Sequence, residues 1–140
     1  LLQAADIKKT YHALVYGGPG ENDGIIDAPI ARKSPESLLR CIRSDGKEAR
    51  TRYRVLERRR GCAHLELQPL TGRTHQLRVH CAYMGFPIAG DPQYGQDAYG
   101  LPHQQLCARS LGFTHPMTEK FIEITSNQKL SLDFLGVDKV

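Results

Sequence analysis

The stretch Arg50-Thr51-Arg52-Tyr53-Arg54-Val55-Leu56-Glu57-Arg58-Arg59-Arg60-Gly61-Cys62-Ala63-His64-Leu65-Glu66-Leu67 decides the fold class. Side chains alternate across a strand with a period of two. Thr51, Tyr53 and Val55 therefore share one face of a strand, and Arg50, Arg52 and Arg54 share the other. After a turn at Glu57–Gly61, Ala63, Leu65 and Leu67 alternate with Cys62, His64 and Glu66. The pattern is an antiparallel hairpin with one apolar and one polar face.

The flanks extend that hairpin into a domain. Upstream, Tyr11-His12-Ala13-Leu14-Val15-Tyr16 reads as a strand that stops at the turn cluster Gly17-Gly18-Pro19-Gly20. Its Tyr11, Ala13 and Val15 fall on one face, and its His12, Leu14 and Tyr16 on the other. Residues 1–7 read as the end of a helix, and Gly24–Ile30 as a short extended piece with Pro29 near its end. Residues 31–50 are polar and basic, a loop with a short strand around Leu38–Ile42. Downstream, Leu70-Thr71-Gly72-Arg73 is a turn, and Thr74 is placed to cap a helix running to about Met84, with Gly85 as its stop. Leu77, Cys81 and Met84 form its apolar stripe. A long loop over 85–105 leads to strands at Gln105–Phe113 and Phe121–Thr125 around His115-Pro116-Met117-Thr118. No linker or internal repeat divides the chain. The expected class is α+β, a mainly antiparallel mixed β-sheet with one central helix.

Composition narrows the function classes. The chain has 140 residues, a length that suits one domain. It holds no run of about 18 apolar residues, the length that crosses a membrane. The net charge of +4 is unevenly spread, because residues 32–60 carry 11 basic and 4 acidic side chains. Most of that patch is arginine, whose planar fork pairs bidentately with phosphate and suits a polyanion such as nucleic acid; the competing reading, favoured on charge alone, is a solvated charged strand and loop. The four cysteines, Cys41, Cys62, Cys81 and Cys107, form no C-x-x-C pair. They read as reduced thiols of a cytoplasmic protein, not as a zinc or redox motif.

The densest polar cluster is Thr71-Gly72-Arg73-Thr74-His75-Gln76-Leu77-Arg78-Val79-His80. A glycine turn opening a helix offers free N–H groups to an anion, on which Arg73 can also close. Arg78, one turn inside the helix, is placed to pair with a buried carboxylate. The competing reading is a capped surface helix with exposed arginines. His75 and His80 stand five apart, whereas two metal ligands on one helix face need a spacing of three or four, so no metal site is expected. Tyr11 follows Lys8-Lys9, and an aromatic ring beside cations suits base stacking, although a strand tyrosine is more often a core ring.

Several segments in order resemble the RluA-type RNA pseudouridine synthases. These are Lys9-Thr10-Tyr11, Gly24-Ile25-Ile26 with Pro29-Ile30, and Gly46-Lys47-Glu48-Ala49-Arg50-Thr51-Arg52-Tyr53. They continue with Leu70–His80, Gly85-Phe86-Pro87-Ile88-Ala89-Gly90-Asp91, Tyr94-Gly95 and Phe113-Thr114-His115-Pro116. The resemblance implies the catalytic fold of that family and isomerisation of uridine to pseudouridine in ribosomal or transfer RNA. It implies neither a metal nor an organic cofactor. It implies that Tyr11 is the active-site tyrosine that stacks on the target uracil, and that Arg78 pairs with the catalytic aspartate. Lys9, Arg50, Arg52, Arg54, Arg73, Thr74, His75 and Gln76 are the expected RNA contacts.

The family's aspartate lies in a His-Arg-Leu-Asp motif, which occurs nowhere in residues 1–140. Asp6 and Asp91 stand in other contexts. The expectation is therefore that the chain, which starts at Leu1 without methionine, is the C-terminal portion of the catalytic domain. The parent protein is expected to be the enzyme and the chain alone inactive. The alternative is a non-catalytic RNA-binding module.

Overall fold

The computed structural model describes residues 7–95, 100, 101, 103–115, 117–126 and 129–135. Its elements are β1 (Ile7–Tyr16), β2 (Asp23–Asp27), β3 (Ile30–Arg32), β4 (Arg40–Ile42), β5 (Arg50–Arg59) and β6 (Cys62–Pro69). They are followed by α1 (Gln76–Tyr83), β7 (Leu106–Thr114), β8 (Phe121–Thr125) and a 3-10 turn at Leu132–Leu135. Six strands form one sheet in the order β2-β5-β6-β1-β7-β8, and each adjacent pair is antiparallel. β3 and β4 make a separate two-stranded hairpin. The expected α+β class, with one helix on a largely antiparallel sheet, is the observed one.

The alternation read from the sequence sets the layers. Ala13 and Val15 of β1, Tyr53 of β5, and Ala63, Leu65 and Leu67 of β6 point to one face, called the front here. There they pack with Leu77 and Cys81 of α1 and with Phe86 and Ile88, which follow it. Leu14, on the opposite face, packs with Cys62, Ala89 and Leu132. The β5–β6 hairpin closes at Arg60-Gly61, both with positive φ (51° and 75°), a two-residue turn that suits the strand twist. β5 therefore runs on to Arg59, past the expected turn start at Glu57, with an irregularity between Val55 and Glu57. A second irregularity lies where β1 meets β7. Thr10 faces Ser110 and Tyr11 faces Ala108, so Arg109 is the extra residue of a bulge beside Tyr11.

Several expected boundaries change. Ile7 belongs to β1 and not to a helix, while residues 1–6 lie outside the described residues. The stretch over 31–50, expected as a loop with a short strand around Leu38–Ile42, holds that strand as β4, and pairs it with the unexpected β3 in a hairpin registered Ile30 to Ile42 and Arg32 to Arg40. Thr74 does not cap α1. The residue before the helix is His75, in the left-handed region at φ 56°, and it makes no side-chain cap. The turn is closed by the Gln76 side chain, whose Oε1 accepts from the Thr71 hydroxyl (2.7 Å) and from the Arg73 N–H (3.0 Å). α1 is also no amphipathic surface helix. Residues 76–81 are all buried, whereas Met84, expected in the apolar stripe, is 46% exposed. Val79 covers Ile30 and Ala49 on the side away from the sheet core, which seats the β3–β4 hairpin against the helix.

Candidate active site

A cavity of about 380 Å³ opens on the front face between β1, the turn after β6 and the start of α1. β1 supplies Lys9 and Tyr11 by alternation, the turn supplies Arg73, and the helix start supplies His75, Gln76 and Arg78. Leu70, Leu77 and Leu106 give the cavity apolar wall between these polar groups. Six of the residues singled out in the sequence thus line one space. Thr74 lines a neighbouring polar cavity with Arg73.

The three β5 arginines expected to contact RNA, Arg50, Arg52 and Arg54, lie elsewhere. Arg52 and Arg54 line a trough of about 920 Å³ on the back of the sheet, with His12, Glu66 and Arg109. Arg54 is bound to Glu66 there at 3.2 Å, and Arg50 stands 3.7 Å from Asp27 across the β2–β5 register. The alternation that put Tyr53 in the core put these arginines on the opposite face from Tyr11.

Arg78 is held in a fixed geometry. Its Nε donates to Oδ2 of Asp91 at 3.0 Å, and its Nη2 donates to Asp91 Oδ1 at 2.8 Å and to Gln93 Oε1 at 2.7 Å. The guanidinium also sits 4.9 Å from the centre of the Tyr94 ring, a cation–π contact. Its Nη1 has no hydrogen-bond partner among the described residues, so one edge of the fork remains unused beside the cavity. Burial raises the Asp91 carboxyl, but the Arg78 guanidinium and the Gln93 and Tyr94 backbone N–H groups outweigh it and hold the carboxyl below its ordinary value. Asp91 in turn holds the Arg78 guanidinium protonated. A buried carboxylate is the expected partner of Arg78, and it is Asp91, which in the sequence belongs to a separate Gly-Asp element. The quoted Gly90-Asp91 and Tyr94-Gly95 were the available signal, and only the fold brings them to the helix.

The remaining polar groups are framework. His75 Nδ1 lies 2.7 Å from the Tyr94 hydroxyl, and that oxygen also accepts the Arg40 backbone N–H at 2.9 Å. Burial, then the Arg78 and Arg40 charges, lowers the His75 pKa, so the ring is kept neutral beside the arginine. The Gln76 amide is fully used: beyond its two accepted bonds, Nε2 donates to the Arg50 carbonyl (2.8 Å) and to Thr51 Oγ1 (3.0 Å). It therefore shapes the cavity wall and offers no spare donor. His80 points away into the protein, between Thr51 Oγ1 (2.8 Å) and the Ala28 carbonyl (2.9 Å). Among the described residues no three histidine, cysteine or acidic side chains gather as metal ligands would.

The profile of the RNA pseudouridylate synthase family matches residues 1–83. The uncharacterized RNA pseudouridine synthase YlyB of Bacillus subtilis is 44% identical over 118 residues, 84% of this chain and 39% of that protein. Ribosomal large subunit pseudouridine synthase C of Vibrio cholerae is 39% identical over 125 residues, again 84% of this chain and 39% of its own. The solved structure of human RNA pseudouridylate synthase domain containing 1 has a TM-score of 0.76 at 30% identity, over 94% of this chain and 64% of that one. The chain thus spans about two fifths of the length of these curated relatives. The profile match over more than half of the residues establishes that the chain belongs to the RNA pseudouridylate synthase family.

Proposed function

We propose that the protein to which this chain belongs isomerises uridine to pseudouridine in RNA, with the cavity between β1 and α1 holding the target uracil. The observation that supports this best is the convergence of Tyr11 and Arg78, sixty-seven positions apart, on one space of about 380 Å³. A target base must leave its stack to be reached, and a half-buried tyrosine ring offers it a new stacking surface. The reaction breaks the N-glycosidic bond, turns the uracil and rejoins it through carbon. That carbon gives up a proton and the freed nitrogen gains one, so no external group is transferred.

Arg78 serves as a positioning residue. Asp91, Gln93 and Tyr94 fix its Nε and Nη2, and Nη1 is left to meet the carboxylate of the family's His-Arg-Leu-Asp motif. A preorganised cation keeps such a carboxylate ionised and oriented at no cost of reorganisation. Residues 1–140 contain no such motif, so in this reading the aspartate comes from elsewhere in the parent protein and the chain by itself is inactive. The expected substrate is ribosomal or transfer RNA of the cytoplasm.

The test is to incubate the parent protein and the 140-residue chain separately with uridine-containing RNA and to map pseudouridine. Product from the parent alone is expected. Product from the chain alone refutes the division of labour, and none from the parent refutes the function. In the parent, Arg78→Ala is expected to lower turnover by about a hundredfold or more, the scale of losing one preorganised electrostatic contact.

A further inference from the structure

A second cavity, of about 470 Å³, lies beside the first, between the β3–β4 hairpin and the turn before α1. Arg32, Arg40, Lys47 and Arg73 line it, with a single carboxylate, Asp45. Asp45 is already engaged by Arg43 at 2.8 Å. None of the four lining cations forms an ion pair with a described residue. Arg32, Arg40 and Arg73 instead donate only to backbone carbonyls, those of Pro35, Leu38 and Glu48. The later half of the basic segment behaves differently. Arg50, Arg54 and Arg59 there meet acidic partners, Arg59 both Glu57 and Asp133, whereas Arg58, like the hairpin arginines, donates only to neutral groups, the Pro19 and Glu21 carbonyls and Asn22 Oδ1.

From this division we infer that the hairpin cavity binds the phosphodiester backbone of the RNA strand running out of the uracil cavity. The inference rests on the proposed function, because the ligand is the strand that carries the target base. Three features fix the ligand class. Unneutralised cations around one space repel one another and are relieved by an anion. Four of them exceed what one phosphate neutralises, and a polyanion with one charge per nucleotide matches them. Gly72 and Arg73 line both cavities, so a strand with its base in the first has its backbone beside the second. Tyr94 holds the two parts in register, accepting from the Arg40 N–H of β4 while contacting His75 at the helix start. On the back face Arg54 has an acidic partner at 3.2 Å and Arg50 one at 3.7 Å, both pairs partly exposed, while Arg52 has none among the described residues.

The test measures binding of a short, labelled, uridine-containing single-stranded RNA by fluorescence anisotropy across a range of salt. Each phosphate contact contributes about 0.7 to the slope of log affinity against log salt for single strands. Replacing Arg32, Arg40 and Lys47 together by alanine is expected to reduce that slope by about two, which at about 0.1 M salt is roughly a hundredfold loss of affinity. The control removes charge elsewhere, Lys120→Ala with Lys129→Ala, both exposed, and is expected to keep the wild-type slope. Circular dichroism checks that each variant folds. Should the triple variant fail to fold, the single Arg32→Ala and Lys47→Ala variants, both at exposed positions, are each expected to lose about 0.7 of slope. A wild-type slope in the hairpin variants overturns the inference, and so does an equal loss in the control. Wild-type protein that shows no salt-dependent affinity for RNA overturns the proposed function and this inference together.

Discussion

Replacing Asp91 by alanine isolates the interaction that fixes Arg78. The carboxylate side chain is fully buried at 0% exposure and the arginine side chain is 11% exposed. The change removes two charge-assisted bonds to Arg78, at 2.8 and 3.0 Å, and the acceptor for the Gln93 and Tyr94 N–H groups. Breaking a buried ion pair from one side costs about 3–5 kcal/mol, because the other charge is stranded. Here Gln93 Oε1 still accepts from Arg78, and a narrow exposed edge admits water, so the lower end applies, about 3 kcal/mol. For a domain of this size that lowers Tm by about 6–12 °C. Urea denaturation reads it as a lower midpoint with an unchanged slope. Combining Asp91→Ala with Arg78→Met closes a double-mutant cycle, in which a direct pair shows coupling of about 2 kcal/mol. A single-variant loss below about 1 kcal/mol, or additive losses, would refute the reasoning.

Other perturbations read neighbouring parts of the same framework. Gly90→Ala is expected to destabilise the fold by about 2–4 kcal/mol in thermal unfolding, since φ is +75° and a Cβ would run into the His103 carbonyl; a change within about 0.5 kcal/mol would contradict it. Tyr94→Phe removes the oxygen that accepts the Arg40 N–H and contacts His75, an expected loss of about 1–2 kcal/mol in urea, and a neutral variant would show that water replaces it without cost. Burial lowers the pKa values of His12, His64, His75 and His80 from 6.5. The unfolded chain then takes up these protons first, so stability is full above about pH 6.5 and falls as the pH drops below it. A denaturation midpoint that stays level from pH 7.5 to about 5 would overturn that assignment.

Legibility in the sequence followed the kind of force involved. The β5–β6 hairpin and the facing of β1 were readable because burial on one face imposes a period of two on Tyr53, Leu65, Leu67, Ala13 and Val15. β4 was readable as the short strand around Leu38–Ile42, whereas β3 was hidden because only Ile30 of its three residues is buried, in the cluster around Val79. Thr74 has the right chemistry for a helix cap, but the buried Gln76 amide takes over the turn, which no local propensity encodes. Tyr11 and Arg78 were picked out by their motifs, and the fold brings both to one cavity. The partnership of Arg78 with Asp91 spans thirteen positions and a glycine turn, so it exists only in three dimensions. Charge composition located a basic segment but not its two faces, since strand parity sends Arg52 and Arg54 behind the sheet.

The bulge at Arg109 makes β7 a frame-locked strand. Before it, Leu106 and Ala108 stand opposite Ala13 and Tyr11; after it, Leu111 stands opposite Lys9. The single extra residue resets parity between these two segments. Deleting Arg109 would regularise the ladder and leave every cross-strand pair in place, with Leu106 and Leu111 both still on the Tyr11 side. Deleting a second residue with it would break that parity and turn either Leu106 or Leu111 away from the Tyr11 side. Tolerance to length change in β7 should therefore go by even and odd counts, a signature that point substitution cannot imitate.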